Sequence, residues 1–389
     1  MKILIYSHYF WPSVGGVERV VESLARGFAE RGHRVTVVSA IPATAANDSG
    51  LPYSVVRQPG LMQLARLIRE HEVVHLAGPA LSPMFLAWLL RRPMLIQHHV
   101  YQAICPNGLL LYKPNGTVCP GHFQAGRHRE CLRCNAGSGR WGSFRMWASG
   151  FPRLWLSKRA ASNVAITNHV QRRLSLPRSQ VIYNGGHCPE MASLPSVDSA
   201  SPGAPASFAF VGRFVAGKGL PVLLEAASLL RSEGFPFRLK LIGDGPERPN
   251  IEAAVTDQGL RGQVVFTGML RGEDLLRETA DAVAVVIPSV CEETAGMAAI
   301  EQMMRGRVVI ASDIGGLGEI VDGAGLKFPP GDSKSLASCM RRLARDPDLM
   351  GKLGCDARRR AEAFFREENM VDGHLRLCLE SRTPNPSPR

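Results

Sequence analysis

Glu293 and Glu301 are separated by seven residues in the stretch Pro288-Ser289-Val290-Cys291-Glu292-Glu293-Thr294-Ala295-Gly296-Met297-Ala298-Ala299-Ile300-Glu301. An apolar run at 283–287 precedes them, and Gly296 with small side chains lies between. The apolar run reads as a strand that brings the chain to a sheet edge. The small residues then let it turn into a helix. The first N–H groups of a helix have no partner within it, so such a start attracts a phosphate. Glu293 would sit at the mouth and Glu301 about a turn into the helix. This arrangement suits the hydroxyls of a sugar and a ribose on either side of a diphosphate.

Other groups with chemical capacity follow apolar runs in the same way. Gly212-Arg213-Phe214-Val215-Ala216-Gly217-Lys218-Gly219 comes directly after the run 208–211. An Arg fork and a Lys point charge on a glycine-bearing loop suit a pyrophosphate leaving group. Phe10-Trp11-Pro12-Ser13-Val14-Gly15-Gly16-Val17-Glu18 follows the run 2–7, and its paired glycines permit close approach of backbone to ligand. No Gly-x-Gly-x-x-Gly occurs, which argues against a dinucleotide cofactor. His98 and His99 end the run 94–97. The turns Gly243-Asp244-Gly245-Pro246 and Asn184-Gly185 read as fold and hinge elements rather than chemistry.

Cys105, Cys119, Cys131 and Cys134 fall within thirty residues, the last two in Cys-x2-Cys spacing. Their surroundings are rich in Gly, Pro and Arg and poor in periodic pattern. Four thiolates there, with His122 as a possible substitute, would form a tetrahedral structural Zn²⁺ site with no catalytic role. Residues 127–159 carry eight Lys or Arg against one acid, Glu130. Trp141, Phe144, Trp147, Phe151 and Trp155 are interleaved with them. Basic and aromatic side chains together suit an anionic membrane surface, or a single-stranded nucleic acid.

Short β-rich runs alternating with helical patterns position these groups. Strands are expected at 2–7, 35–39, 54–56, 73–76, 94–97, 164–167 and 181–183, then at 208–211, 239–242, 264–267, 283–287, 308–311 and 326–328. Residues 18–31 read as an amphipathic helix stopped by Gly32. This grammar predicts two Rossmann-like, doubly wound α/β domains facing a cleft. The first spans 1–188 with a Cys-rich insert at about 101–150, and the second spans 208–365. The linker at 189–207 is rich in small residues: 13 of the 17 residues at 191–207 are Ala, Ser, Pro or Gly. A last helix is expected over roughly 356–380, and the tail 381–389 reads as disordered.

The Glu-x7-Glu signature in its strand–turn–helix setting, Gly-Arg-x4-Lys-Gly and the Gly15-Gly16 turn, taken in order, resemble the retaining nucleotide-sugar glycosyltransferases of family four, of GT-B fold. The resemblance covers residues 1 to about 375. It implies transfer of a hexose from a UDP- or GDP-linked sugar to a saccharide or lipid-linked acceptor, with retention of configuration, in cell-envelope or surface polysaccharide biosynthesis. It implies that His99 touches the transferred sugar, with His98 the alternative one position away. Arg213 and Lys218 would stabilise the departing diphosphate, Glu293 would bind the sugar and Glu301 the ribose. Gly15 and Gly16, with Gly296, Met297 and Ala298, would line the donor. The C-terminal helix, 366–380, would cross back to the first domain. No cofactor is required for this transfer. The family's usual acidic residue after the His is Val100 here. Two usual prolines are replaced by Arg307 and Gly318. Gly315-Gly316 and Glu319 match the family.

The 45% hydrophobic and 21% charged composition is that of a soluble globular protein, and the net charge of +12 favours polyanionic partners. The apolar run at 3–6 is short for a secretory signal, and 80–90 is short for a membrane span. A cytoplasmic protein, peripheral on the inner face of the membrane, is expected, with its nine cysteines reduced or metal-bound. Two other classes compete. A nonenzymatic sugar- or nucleotide-binding protein on the same fold would not need Lys218 and the glutamate pair. A basic nucleic-acid-binding protein would not need Glu-x7-Glu, and no nucleic acid partner is expected.

Overall fold

The structure, a computed structural model, describes residues 1–13, 15–42, 48–186 and 205–382. Most of the expected linker at 189–207 and all but two residues of the tail at 381–389 lie outside the described residues. The chain divides into two units, Met1–Gly185 with Glu367–Arg389, and Gly186–Arg366.

The first unit contains β1 (Lys2–Ser7), α1 (Gly16–Glu30), β2 (Arg34–Ser39), β3 (Ser54–Arg57), α2 (Leu61–Glu70), β4 (Val73–Leu76), α3 (Leu81–Leu89) and β5 (Met94–His98). Next come β6 (Leu111–Tyr112), β7 (Thr117–Val118), α4 (His128–Cys134), α5 (Gly139–Ser157), β8 (Ser162–Ala165), α6 (Asn168–Leu174) and β9 (Ser179–Val181). Seven strands form one parallel sheet in the order β3-β2-β1-β4-β5-β8-β9. β4 and β5 are buried throughout, as inner strands of a parallel sheet covered by helices on both faces are, and their polar His75, Gln97 and His98 are buried with them. α1 buries Val20, Val21, Leu24, Ala25 and Phe28, and the chain turns away at Gly32, φ 80°.

The second unit contains β10 (Ala206–Val211), α7 (Leu220–Ser232), β11 (Phe237–Ile242), α8 (Arg248–Asp257), β12 (Val264–Gly268), α9 (Gly272–Glu278) and β13 (Ala284–Ile287). It continues through α10 (Met297–Met303), β14 (Val309–Ser312), α11 (Gly315–Ile320), β15 (Leu326–Phe328), α12 (Ser333–Arg345) and α13 (Pro347–Phe364). Its sheet is parallel too, in the order β12-β11-β10-β13-β14-β15. One core, including Phe208, Phe210, Phe214, Leu239 and Phe328, fills it. Both units are therefore α/β domains with parallel sheets.

Two expectations need correction. The helix expected over 356–380 is two helices, α13 and α14 (Glu367–Glu380). The chain breaks at Phe365 because this side chain is fully buried and its carbonyl accepts from Gly186 N–H at 2.8 Å. A parallel bridge joins Gly186 to Arg366. α14 belongs to the first unit and packs on α1. A Cβ at Gly27 would come within 2.7 Å of Val371, so only glycine admits this approach. Arg31 and Asp372 form an ion pair there at 2.8 Å. The second correction concerns the Cys-rich segment, which holds the antiparallel hairpin β6–β7 and α4. Both strands have two residues, below the length at which alternation can be read.

Candidate active site

In the second unit the order of strands reverses between β10 and β13, which pair directly in parallel. Chain leaving the carboxyl ends of two such strands diverges, and ligands of doubly wound sheets bind there. The loop after β10 carries Arg213 and Lys218, and the loop after β13 carries Glu293. The Lys218 ammonium lies 2.9 Å from a Glu293 carboxylate oxygen, with the side chains 29% and 10% exposed.

Glycines bring these loops into contact. Gly217 O accepts from Val290 N–H at 3.0 Å. The Cys291 thiol lies 3.4 Å from the same oxygen. Gly219 is left-handed, φ 67°, and a Cβ there would come within 1.8 Å of Pro288 O. The residues flanking Lys218 thus both abut the loop that bears Glu293. Ser289, fully buried, donates its hydroxyl to the Glu293 carboxylate. The Glu293 carbonyl accepts from Gly316 N–H at 2.7 Å. A Cβ at Gly315 would come within 2.5 Å of that carbonyl. Gly315 and Gly316 therefore secure the backbone of Glu293, which family matching by itself did not reveal. The sequence signal for Ser289 is its spacing of four residues from Glu293.

Arg213 is exposed on the same loop as Lys218. Gly296 is left-handed, φ 75°, and starts α10, in which Glu301 is partly buried. α10 has only seven residues. Asp244 serves the fold: its side chain caps Gly245 N–H at 2.7 Å and faces Arg248, while its carbonyl accepts from Phe214 N–H. Arg307, in place of a proline, is buried and donates to Ala280 O and Ala282 O, tying the approach to β14 to the segment before β13. Burial lowers its pKa.

In the first unit His98 and His99 separate cleanly. The His98 ring lies 2.9 Å from Asn163 Oδ1 on neighbouring β8. Asn163 spends its amide protons on Ser157 O and Pro177 O. His98 is therefore tied to the sheet through Asn163. His99 is buried beside His75 and His374, and its pKa is pushed down to about 3 by burial first, then by His75 and His98. At neutral pH it is an uncharged imidazole. The His75 and His374 rings meet at 2.9 Å between β4 and α14. Gln97 donates to buried Asn184 at 3.1 Å, anchoring the Asn184-Gly185 turn to the end of β5. At Gly15, which is extended, a Cβ would come within 2.6 Å of the Glu18 carboxylate, itself held by Ser13 at 2.8 Å. The start of α1, where a diphosphate was expected beside Gly15 and Gly16, is thus faced by the chain's own carboxylate.

Cys105, Cys119, Cys131 and Cys134 are all buried and line one small cavity together with His122 and Asn107. Asn107 bridges them: it accepts from the Cys105 thiol at 3.1 Å and donates to Cys134 at 3.6 Å. Backbone N–H groups of Asn107, Gly108 and Leu110 are directed at the Cys105 sulfur. Among the described residues, no three His, Cys, Asp or Glu side chains are grouped as ligands of a metal ion. The basic stretch 127–159 is not one surface. Arg153 is turned inward onto Pro79 O, and Trp147 packs against His128 and Phe151. Among the described residues no helix is long and apolar enough to cross a membrane.

Residues 14–186 match the family described as Glycosyltransferase Family 4, and residues 205–346 match Glycosyl transferases group 1. The chain is 33% identical to the alpha-D-kanosaminyltransferase of Streptomyces kanamyceticus over 150 residues. That match covers 38% of this chain and 39% of that protein, so the chain spans well under half the length of that curated relative. It is 25% identical over 375 residues to the lipopolysaccharide core biosynthesis glycosyltransferase LpsE of Rhizobium meliloti (strain 1021), covering 95% of this chain and 98% of LpsE. The solved structure of Anabaena Alr3699/HepE in complex with UDP superposes with a TM-score of 0.74 at 17% identity, covering 98% of this chain and 100% of that one. That likeness concerns the fold. The chain thus resembles Glycosyltransferase Family 4 over its first unit and Glycosyl transferases group 1 over most of its second, and it has the two-domain parallel α/β fold of the GT-B glycosyltransferases.

Proposed function

We propose that this protein transfers a sugar from a nucleoside-diphosphate sugar to a saccharide or lipid-linked acceptor, with retention of configuration, in cell-envelope polysaccharide biosynthesis. The observation that carries the reading is the Lys218–Glu293 pair at the switch point between β10 and β13. As the bond between the sugar's C1 and the β-phosphate breaks, its electron pair passes to the phosphate oxygen. A cation already held in place there stabilises that developing charge without reorganisation. Lys218 is positioned by two glycine contacts and a carboxylate, and exposed Arg213 shares its loop. When a diphosphate engages Lys218, Glu293 stays fixed by Ser289 and is available to sugar hydroxyls. Glu301 is assigned the ribose, and His99, neutral, a hydrogen bond to the transferred sugar.

The envelope role is supported by the full-length match to LpsE, which is named for lipopolysaccharide core biosynthesis. A nucleotide-sugar donor, UDP- or GDP-linked, is supported by the UDP bound to the structural neighbour HepE. A thermal-shift screen with UDP, GDP, ADP and their sugars tests donor binding, since a selective ligand raises the melting temperature. Release of nucleoside diphosphate with a polysaccharide or lipid-linked acceptor tests transfer. No shift with any nucleotide would overturn the reading.

We also propose a structural Zn²⁺ for the cysteine quartet. The donor set suits zinc in its chemistry, since four soft sulfur groups line one cavity and backbone N–H groups are aimed at Cys105. Binding would have to draw the sulfurs together, because no three are grouped as ligands among the described residues. Zinc bound there would order the Cys-rich segment and take no part in transfer.

A further inference from the structure

α3 and α5 lie side by side in the first unit and share an outward face. Trp88 of α3 meets Trp155 of α5 edge-on, with ring centroids 5.1 Å apart. Around this contact Phe85 is 50% exposed and Leu89 57%, and further along α5 Trp141 is 70% exposed and stacks on Phe144. Neither helix contains an acidic residue. Cations accompany the apolar groups: Arg140 and Arg145 on α5 are exposed, Arg91 and Arg92 follow α3, and the Arg159 guanidinium covers the Trp155 ring at 3.7 Å. Large aromatic groups are normally buried, and a contiguous exposed set marks an interaction surface.

We propose that this α3–α5 face docks the protein on an anionic bilayer surface. Tryptophan and phenylalanine belong at the boundary between headgroups and acyl chains, and arginines beside them meet anionic headgroups. Two other occupants fit less well. A second copy would pair the face with itself about a two-fold axis and bring arginines against arginines with no carboxylate on α3 or α5 to offset them. A nucleic acid would need cations along a track with rings free to stack bases between them, whereas here Trp88 and Trp155 meet edge-on, Trp141 stacks on Phe144 and Arg159 covers Trp155. The inference does not depend on the donor site, which lies in the other unit.

Flotation of the full chain with neutral phosphatidylcholine vesicles and with vesicles containing phosphatidylglycerol tests it. Recovery with the anionic vesicles, lost in high salt, is expected. Arg140→Gln with Arg145→Gln should lower partitioning roughly 30-fold, as for two cations at an anionic leaflet. Trp141→Ala should lower it independently of salt. Lys334→Glu, on the second unit, should have no effect. All substituted side chains are exposed, so unchanged far-ultraviolet circular dichroism is expected. Equal recovery on both vesicle types, or none on either, overturns the proposal. A dimer abolished by Trp141→Ala, or binding of single-stranded RNA without vesicle binding, would do so too.

Discussion

Lys218 and Glu293 form an ion pair at 2.9 Å across the point where the second sheet reverses its strand order. Lys218→Ala removes the only positive charge held in that pair and leaves Ser289 on Glu293. Turnover is expected to fall by about a hundredfold or more, the loss typical of one preorganised electrostatic donor. Release of nucleoside diphosphate under saturating donor is the measurement, and unchanged turnover would remove Lys218 from the mechanism.

Glu301→Ala should weaken nucleotide-sugar binding by about 10- to 100-fold, since a hydrogen bond to a charged group is worth roughly 1.5–3 kcal/mol. Calorimetric titration of wild type and variant decides this. Equal affinities would take the ribose away from Glu301.

Gly219→Ala tests the loops rather than the charges. The left-handed backbone costs a non-glycine residue about 1–2 kcal/mol. The added Cβ would also come within 1.8 Å of Pro288 O, so the loops bearing Lys218 and Glu293 must separate. Both a lower unfolding midpoint and lower turnover are expected. Loss of stability alone would show that the ion pair survives the separation.

The buried histidines make the first unit acid-sensitive. Burial holds His75 and His98 at about 4 and His99 at about 3, against an ordinary value of 6.5, and His374 well below that value. Below pH 6.5 the unfolded chain takes up protons that the folded one refuses, so stability falls as pH drops from about 6.5 towards 4 and is flat above about 7. The slope is on the order of 1.4 kcal/mol per pH unit for each histidine. Urea unfolding at pH 7.5 and pH 5 measures it. Equal midpoints would mean that these rings already carry protons in the folded state.

Elemental analysis of protein purified without chelator or added metal should find about one zinc per chain, as a four-ligand site requires. Serine at Cys131 and Cys134 together should abolish it and speed proteolysis within residues 101–150, leaving nucleotide binding to the second unit intact. Metal-free protein with four freely titratable thiols would rule the site out.

All thirteen strands expected from sequence are strands of the two large sheets, with ends shifted by at most two residues. Buried parallel strands are continuous apolar runs, and this makes them legible. The break at Phe365 was not legible, because α13 and α14 continue one helical pattern and only the distant Gly186 ends the first. The placement of Lys218 and Glu293 on loops that follow strands was legible from the apolar runs before them. Ser289, Gly315 and Gly316 were not assigned, since their service to Glu293 arises from contacts between loops. The contact of His98 with Asn163 was not legible, because it arises from the pairing of β5 with β8.

The break between α13 and α14 also bears on the order in which the protein takes shape during synthesis. Met370, Val371, Leu377 and Cys378 of α14 belong to the same core as Val20, Leu24 and Phe28 of α1. They leave the ribosome after the entire second unit. Until then the outer side of α1 and the ring of His75 face solvent or a chaperone. Of the two units, the one translated earlier is thus completed later, and a chain truncated after Arg366 would keep its second unit whole while its first stayed open on α1.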